Sequence, residues 1–261
     1  MTHFGRTIYL LCISLSFLSL PAFAGGVGSD QLLWEANQLF REYKDVEALE
    51  KFEQLITQDP HHQEALCKAT VLSTRIGGRF TDDTRKGQYF EKALVFSARA
   101  IEVDSQKAEA NYVRALALGS MSQVTGLKER LTYLSSSKHY IDRALAIDDK
   151  HAGAWHLQGR WSYKVANLTI AEKAASKFLM TGAAFPIASN KDALSAISKA
   201  VELDPTNLLY YFDLARVQKD VDLKSECIAT LQKALDQKLV TTEDLELSRR
   251  CKILLQQMLK V

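Results

Sequence analysis

Gln54-Leu55-Ile56-Thr57-Gln58-Asp59-Pro60 and Lys199-Ala200-Val201-Glu202-Leu203-Asp204-Pro205 are one phrase written twice. It recurs without the proline at Arg99-Ala100-Ile101-Glu102-Val103-Asp104 and at Arg143-Ala144-Leu145-Ala146-Ile147-Asp148. Each copy reads as the end of an apolar helix, followed within a few residues by a second helical pattern. Proline cannot continue a helix, and an Asp oxygen can cap the start of the next one. Punctuation that returns in phase is the mark of a repeat architecture.

Counting backward tests the phase. With Pro60 as position 32 of a 34-residue unit, Ala36, Ala48, Phe52 and Leu55 fall at positions 8, 20, 24 and 27. Pro205 in the same role gives Ala193, Ile197 and Ala200; Ser105 gives Ala93, Ser97 and Ala100; Asp149 gives Ser137, Ile141 and Ala144. Carrying forward from Leu208 gives Leu214, Ala215, Cys227, Leu231 and Ala234 at 7, 8, 20, 24 and 27. Small residues are needed where two helices come close. Five registers in phase resemble tetratricopeptide repeats over residues 29–241. The expected fold is therefore all-α, a right-handed helical solenoid of about eleven helices.

The units run 29–62, 63–107, 108–151, 152–207 and 208–241, which makes them 34, 45, 44, 56 and 34 residues long. The surplus falls between the two helices of its unit, includes Ile76 to Phe80, Gly119 to Gly126 and Val165 to Pro186, and predicts extended A–B loops on one edge of the array. Such edges are where repeat proteins elaborate binding faces. Leu245, Leu247, Ile253, Leu254, Leu255 and Met258 predict a capping helix over 242–260. Residues 25–261 thus form one domain.

Residues 1–24 read differently. Arg6, the mostly apolar run Ile8 to Leu20, Pro21 and Ala22-Phe23-Ala24 make the three-part pattern of a secretory leader, with cleavage after Ala24. As helix, that run rises about 20 Å, short of a hydrocarbon core of about 30 Å. The expected location is outside the cytoplasm, in a bacterial periplasm, with no stable membrane span after cleavage. Without the leader, basic and acidic residues stand at 32 and 31. A near-neutral chain has no cationic excess for nucleic acid. Cys67, Cys227 and Cys251 remain, too few for a disulfide framework.

Catalytic and metal patterns are hard to find. His61 and His62 fall in an interhelical turn, and His151 and His156 lie about 140° apart around a helix, so they share no face. The histidines read as solvated or capping residues. The sequence holds no His-Glu-x-x-His motif, no paired Cys-x-x-Cys, no phosphate loop and no Gly-x-Ser-x-Gly elbow. Asn167-Leu168-Thr169 is a glycosylation sequon, relevant only in a eukaryotic secretory pathway. No enzyme and no cofactor is expected.

What remains is a groove. In tetratricopeptide arrays the A helices line the concave face through positions 2, 5, 9 and 12. These positions offer Tyr112 and Leu116, then His156, Arg160 and Tyr163, then Phe212, Arg216 and Lys219. Arg160 and Arg216 share position 9 in consecutive units, and two guanidinium forks beside aromatic rings suit a carboxylate or phosphate. A protein or peptide partner is the first expectation. An anionic amphipath such as a phospholipid is the alternative.

A narrower likeness covers about 110 residues. Gly159-Arg160-Trp161-Ser162-Tyr163-Lys164-Val165-Ala166-Asn167-Leu168 is followed by Phe185-Pro186, Lys191-Asp192-Ala193-Leu194, Asn207-Leu208-Leu209 and Thr241-Thr242-Glu243-Asp244. This order resembles the C-terminal half of the regulator of microtubule dynamics family. The resemblance implies a tetratricopeptide-type domain, no catalytic residues, and association with microtubules and organelle-membrane contacts; one member is implicated in binding phospholipid. The secretory leader points to a bacterial relative.

Overall fold

The computed structural model describes residues 28–179 and 186–260, so the expected leader and Phe185 lie outside the described residues. Twelve helices follow one another in these residues. They are α1 (Ser29–Arg41), α2 (Asp45–Gln58), α3 (Gln63–Gly78), α4 (Asp83–Val103), α5 (Ala108–Met121) and α6 (Leu127–Ile147), then α7 (Ala152–Ala166), α8 (Ile170–Leu179), α9 (Asn190–Leu203), α10 (Leu208–Asp220), α11 (Lys224–Leu235) and α12 (Thr242–Lys260). Helices α1/α2, α3/α4, α5/α6, α7/α9 and α10/α11 pack as antiparallel pairs, and each pair leans on the next, as in a helical solenoid.

The small-residue register explains the close pairing. All fifteen residues counted to positions 20, 24 and 27, from Ala48 to Ala234, are buried. Position 8 is occupied by Ala36, Thr70, Ala115, Gly159 and Ala215, again all buried. Gly159 is the tightest: a Cβ there would lie 2.3 Å from Ile197 Cγ1 and 3.0 Å from both the Ala193 carbonyl oxygen and the Ile197 nitrogen. Helix α7 meets α9 nearly backbone to backbone.

The recurring aspartates do a different job from the one expected. Asp59, Asp104, Asp148 and Asp204 each end a helix, and their Oδ1 atoms accept from the backbone amides of His61, Gln106, Lys150 and Thr206, two residues on, at 2.9–3.2 Å. They close Asx turns rather than cap the next helix, because they stand at the helix exit and reach only two residues on. Histidine does the capping in two units. His62 Nδ1 accepts from the Ala65 amide at 3.2 Å and His151 Nδ1 from the Ala154 amide at 3.1 Å. With Nδ1 accepting, His151 carries its proton on Nε2 and donates it to Glu109 at 3.0 Å.

Much of the added length between A and B helices is itself helical. Helix α3 continues through Gly77 and Gly78, and the missing side chain at Gly77 lets Tyr89 and Phe90 of α4 close on its α-carbon. Helices α4 and α6 each reach 21 residues. The twelfth helix, α8, lies inside the unit-four insertion and packs against α6. Helix α12 covers the last pair through Leu247, Cys251 and Leu254, which share a buried cluster with Phe212, Cys227 and Leu231. Among the described residues, no helix is long and apolar enough to cross a membrane.

Candidate ligand-binding groove

Helices α5, α7 and α10 are successive A helices, so residues at one repeat position line up across them. Arg160 and Arg216, both at position 9, are about half exposed and line one cavity of about 450 Å³. Tyr163, at position 12 of α7, lines it too. The wall includes Leu116 of α5, Leu134 of α6, Leu157 and Trp161 of α7 and Val217 of α10. Arg130 of α6 and Lys164 of α7 bring the cations to four.

A buried carboxylate that the repeat count does not single out organises the arginines. Asp213 of α10 is 8 % exposed and lies 3.7 Å from Arg160 Nε and 3.4 Å from Arg216 Nη1. His156 of α7, also buried, donates Nε2–H to Asp213 Oδ2 at 2.9 Å and packs on the Tyr210 ring with 4.4 Å between centroids. Burial alone pushes the Asp213 carboxyl up, but the His156 hydrogen bond and the charges of Arg160 and Arg216 outweigh it and hold it at about 2. Burial dominates at His156 and pulls its imidazole below the ordinary value, with Asp213 opposing and Arg160 assisting. The pair is thus a neutral imidazole donating to a carboxylate.

Both shifts carry the same sign for stability. A depressed histidine leaves the folded state reluctant to take the proton that the unfolded chain accepts below pH 6.5, its ordinary value. A depressed carboxyl contributes stability that is fully present above its ordinary 3.8 and is lost as pH falls through about 2. Urea titrations are therefore expected to show stability declining below pH 6.5 and declining again as the pH falls below about 4. Asp213→Asn should make the second decline shallower, leaving the part contributed by other depressed carboxyls such as Glu172; an unchanged acid limb in that variant would contradict the assignment.

The remaining residues expected in the groove divide between packing and a second hollow. Tyr112 packs on the His151 ring, 4.6 Å between centroids, and against Gly153. Neither Tyr112 nor His156 lines the cavity. Phe212 and Lys219 line a more open hollow of about 390 Å³ with Arg216, Asp220, Arg250 and Ile253. There the Arg250 guanidinium lies 4.4 Å from the centroid of Phe212, whose ring is buried. Arg216 belongs to both, so the groove runs on from the cavity toward α12. Tyr163 donates its hydroxyl to Asp220 of α10 and so ties the A helices together along that path. Among the described residues, no cluster of three or more His, Cys, Asp or Glu could hold a metal ion.

Solved structures share this architecture. A tetratricopeptide-repeat protein of Thermus thermophilus superposes with a TM-score of 0.65 at 18% identity, covering 88% of this chain and all of that one. PilW, a type IV pilus biogenesis factor, superposes at 0.53 with 16% identity, covering 88% of each chain. Sequence relatives are closer. Regulator of microtubule dynamics protein 1 of Bos taurus is 26% identical over 204 residues, 75% of this chain and 62% of that protein. Regulator of microtubule dynamics protein 3 of Bos taurus is 29% identical over 150 residues, 56% of this chain and 31% of that protein. This chain therefore matches less than two thirds of the length of either. A family model described as regulator of microtubule dynamics protein 1-3 matches residues 32–259, which extends the likeness from the second half to nearly every described helix. On that match, this helical-repeat chain belongs to the regulator of microtubule dynamics family.

Proposed function

We propose that this protein is a non-catalytic scaffold that holds an acidic segment of a protein partner in the groove of α5, α7 and α10. The observation that carries the reading is the pair of half-exposed guanidiniums, Arg160 and Arg216, kept on one cavity by the buried Asp213. Asp213 cancels one of their two charges and contacts each at more than 3.3 Å, so both forks keep donors for an incoming carboxylate. The fold supports a protein-interaction role, since solenoids present extended concave surfaces to their partners. A cavity with cations and an apolar wall also favours a second reading, a carrier for one anionic amphipath. The relatives' names make a microtubule-associated regulator the family-level alternative. We place the protein in a bacterial periplasm on the leader pattern of residues 1–24.

One preparation tests these statements. The mature protein, expected to begin at Gly25, is isolated from the periplasmic fraction and titrated with the fluorescein-labelled peptide Leu-Glu-Ala-Glu-Leu. Arg160→Ala or Arg216→Ala should weaken binding about tenfold, or about 1.5 kcal/mol. That is the low end for charged hydrogen bonds, because water already screens half-exposed guanidiniums. Arg→Lys should recover only part, since an ammonium cannot fork onto two oxygens. Equal affinity in all variants would end the groove reading, and stoichiometric lipid extracted from the same sample would favour the carrier. A chain still beginning at Met1 would end the periplasmic one.

A further inference from the structure

The cations of the cavity fall into two pairs, and each pair is organised by its own buried carboxylate. Asp213 serves Arg160 and Arg216. Glu172, in the first turn of α8 and 5 % exposed, lies 3.2 Å from Arg130 Nη1 and 3.7 Å from Lys164 Nζ. The Thr169 amide and hydroxyl donate to its other oxygen at 2.8 and 3.0 Å, which fixes the carboxylate plane. Burial pushes the Glu172 carboxyl up, yet Thr169, Lys164 and Arg130 together hold it below the usual range, so it stays charged.

Each acid therefore cancels one charge of its pair and leaves a net +1 at two separate places on one cavity. All four cations keep between a third and a half of their side-chain surface open, from 33% at Arg130 to 50% at Arg216. Arg160 and Lys164 sit one helical turn apart on α7, about 6 Å along its axis. An extended peptide repeats its side-chain direction every second residue, about 6.8 Å. A single-headed amphipath would satisfy one pair and lay its hydrocarbon beside the other. That is costly for a charged group left short of water.

Resting on the groove reading above, we propose that the cavity binds two carboxylates of one extended peptide at once. One sits at Arg160 and Arg216 and the other, two residues along, at Arg130 and Lys164. The ligand class is thus a Glu-x-Glu segment, whose methylene stems cover the apolar wall at Leu134 and Trp161.

The same labelled peptide, Leu-Glu-Ala-Glu-Leu, tests this beside its relatives with Gln at one or both Glu positions. Either single Gln should weaken binding about tenfold, and Lys164→Ala or Arg130→Gln should weaken the two-Glu peptide severalfold. Those variants should not further weaken the single-Gln peptide that has lost its contact to them. Lys164 is half exposed, so its loss leaves the fold intact even if Arg130→Gln does not fold. If Lys164→Ala and Arg130→Gln bind like the unmodified protein while Arg160→Ala is weakened, the second subsite is overturned and the groove reading survives. Peptides that fail to bind, with phosphatidylglycerol vesicles binding instead, overturn both.

Discussion

Gly159→Ala is expected to destabilise the protein by about 3 kcal/mol, although alanine is the better helix former by about 1 kcal/mol. The sign is decided by what the new methyl group meets. It would sit 2.3 Å from Ile197 Cγ1 and 3.0 Å from two backbone atoms of α9. Ile197 is fully buried and branched, so it has no empty rotamer to retreat to, and α9 must move away from α7 along the whole seam. Gly87→Ala in α4 is the matching control. Nothing lies within 4 Å of its would-be Cβ, so the same substitution should stabilise by about 0.5–1 kcal/mol. Urea unfolding of both variants checks the pair, and equal effects would mean that α7 and α9 are not in contact at Gly159.

Trp161→Ala is expected to cost about 3–5 kcal/mol. The indole is 4 % exposed and shares a buried cluster with Ala115, Leu134, Ile141, Leu157 and Val165. Its Nε1–H donates to the Leu134 carbonyl at 2.8 Å, so it fastens α7 to α6, the seam between consecutive units. Trp161 also lines the cavity, and part of the void would open to water, which favours the lower end of that range. In an array stabilised by nearest-neighbour interfaces, a weakened seam separates the halves. The unfolding transition should therefore broaden as well as shift, and a sharp transition at the original midpoint would contradict this placement.

The repeat is legible in the sequence because it is a local property. Ala48, Ala93, Ala144 and Ala200 are small where helices must approach, and that choice is visible at fixed spacing without knowing which helix approaches. The same count puts Arg160 and Arg216 at one position, and a common cavity follows from stacking alone. Position 5 is less informative. It says that Tyr112 and His156 face the neighbouring A helix but not how near that helix comes, and there the rings are consumed by packing on His151 and Tyr210. Asp213 stands 57 residues from His156, and no periodicity links a carboxylate at position 6 to an imidazole at position 5 of the preceding unit. Arg130 and Glu172 are hidden for a related reason. Glu172 lies in the added residues of unit four and Arg130 in the first turn of α6, just past the Gly119–Gly126 stretch where unit three leaves the 34-residue pattern, and only tertiary packing brings α8 onto α6. The one sequence signal at Glu172 is Thr169-x-x-Glu172, a capping-box spacing at the start of a helix.

The central claim is that position 9 of α7 serves the groove while the next residue serves the seam. Unfolding free energy and affinity for the Glu-containing peptide, measured side by side on Arg160→Ala and Trp161→Ala, test it most directly. Arg160→Ala should bind about tenfold more weakly with stability changed by less than about 1 kcal/mol, since among the described residues the half-exposed Arg160 side chain makes one ion pair, at 3.7 Å to Asp213, which keeps His156 and Arg216 as partners. Trp161→Ala should lose about 3 kcal/mol or more of stability. An Arg160→Ala protein that unfolds, beside a Trp161→Ala protein as stable as the original, would contradict the register of α7 and the groove built on it.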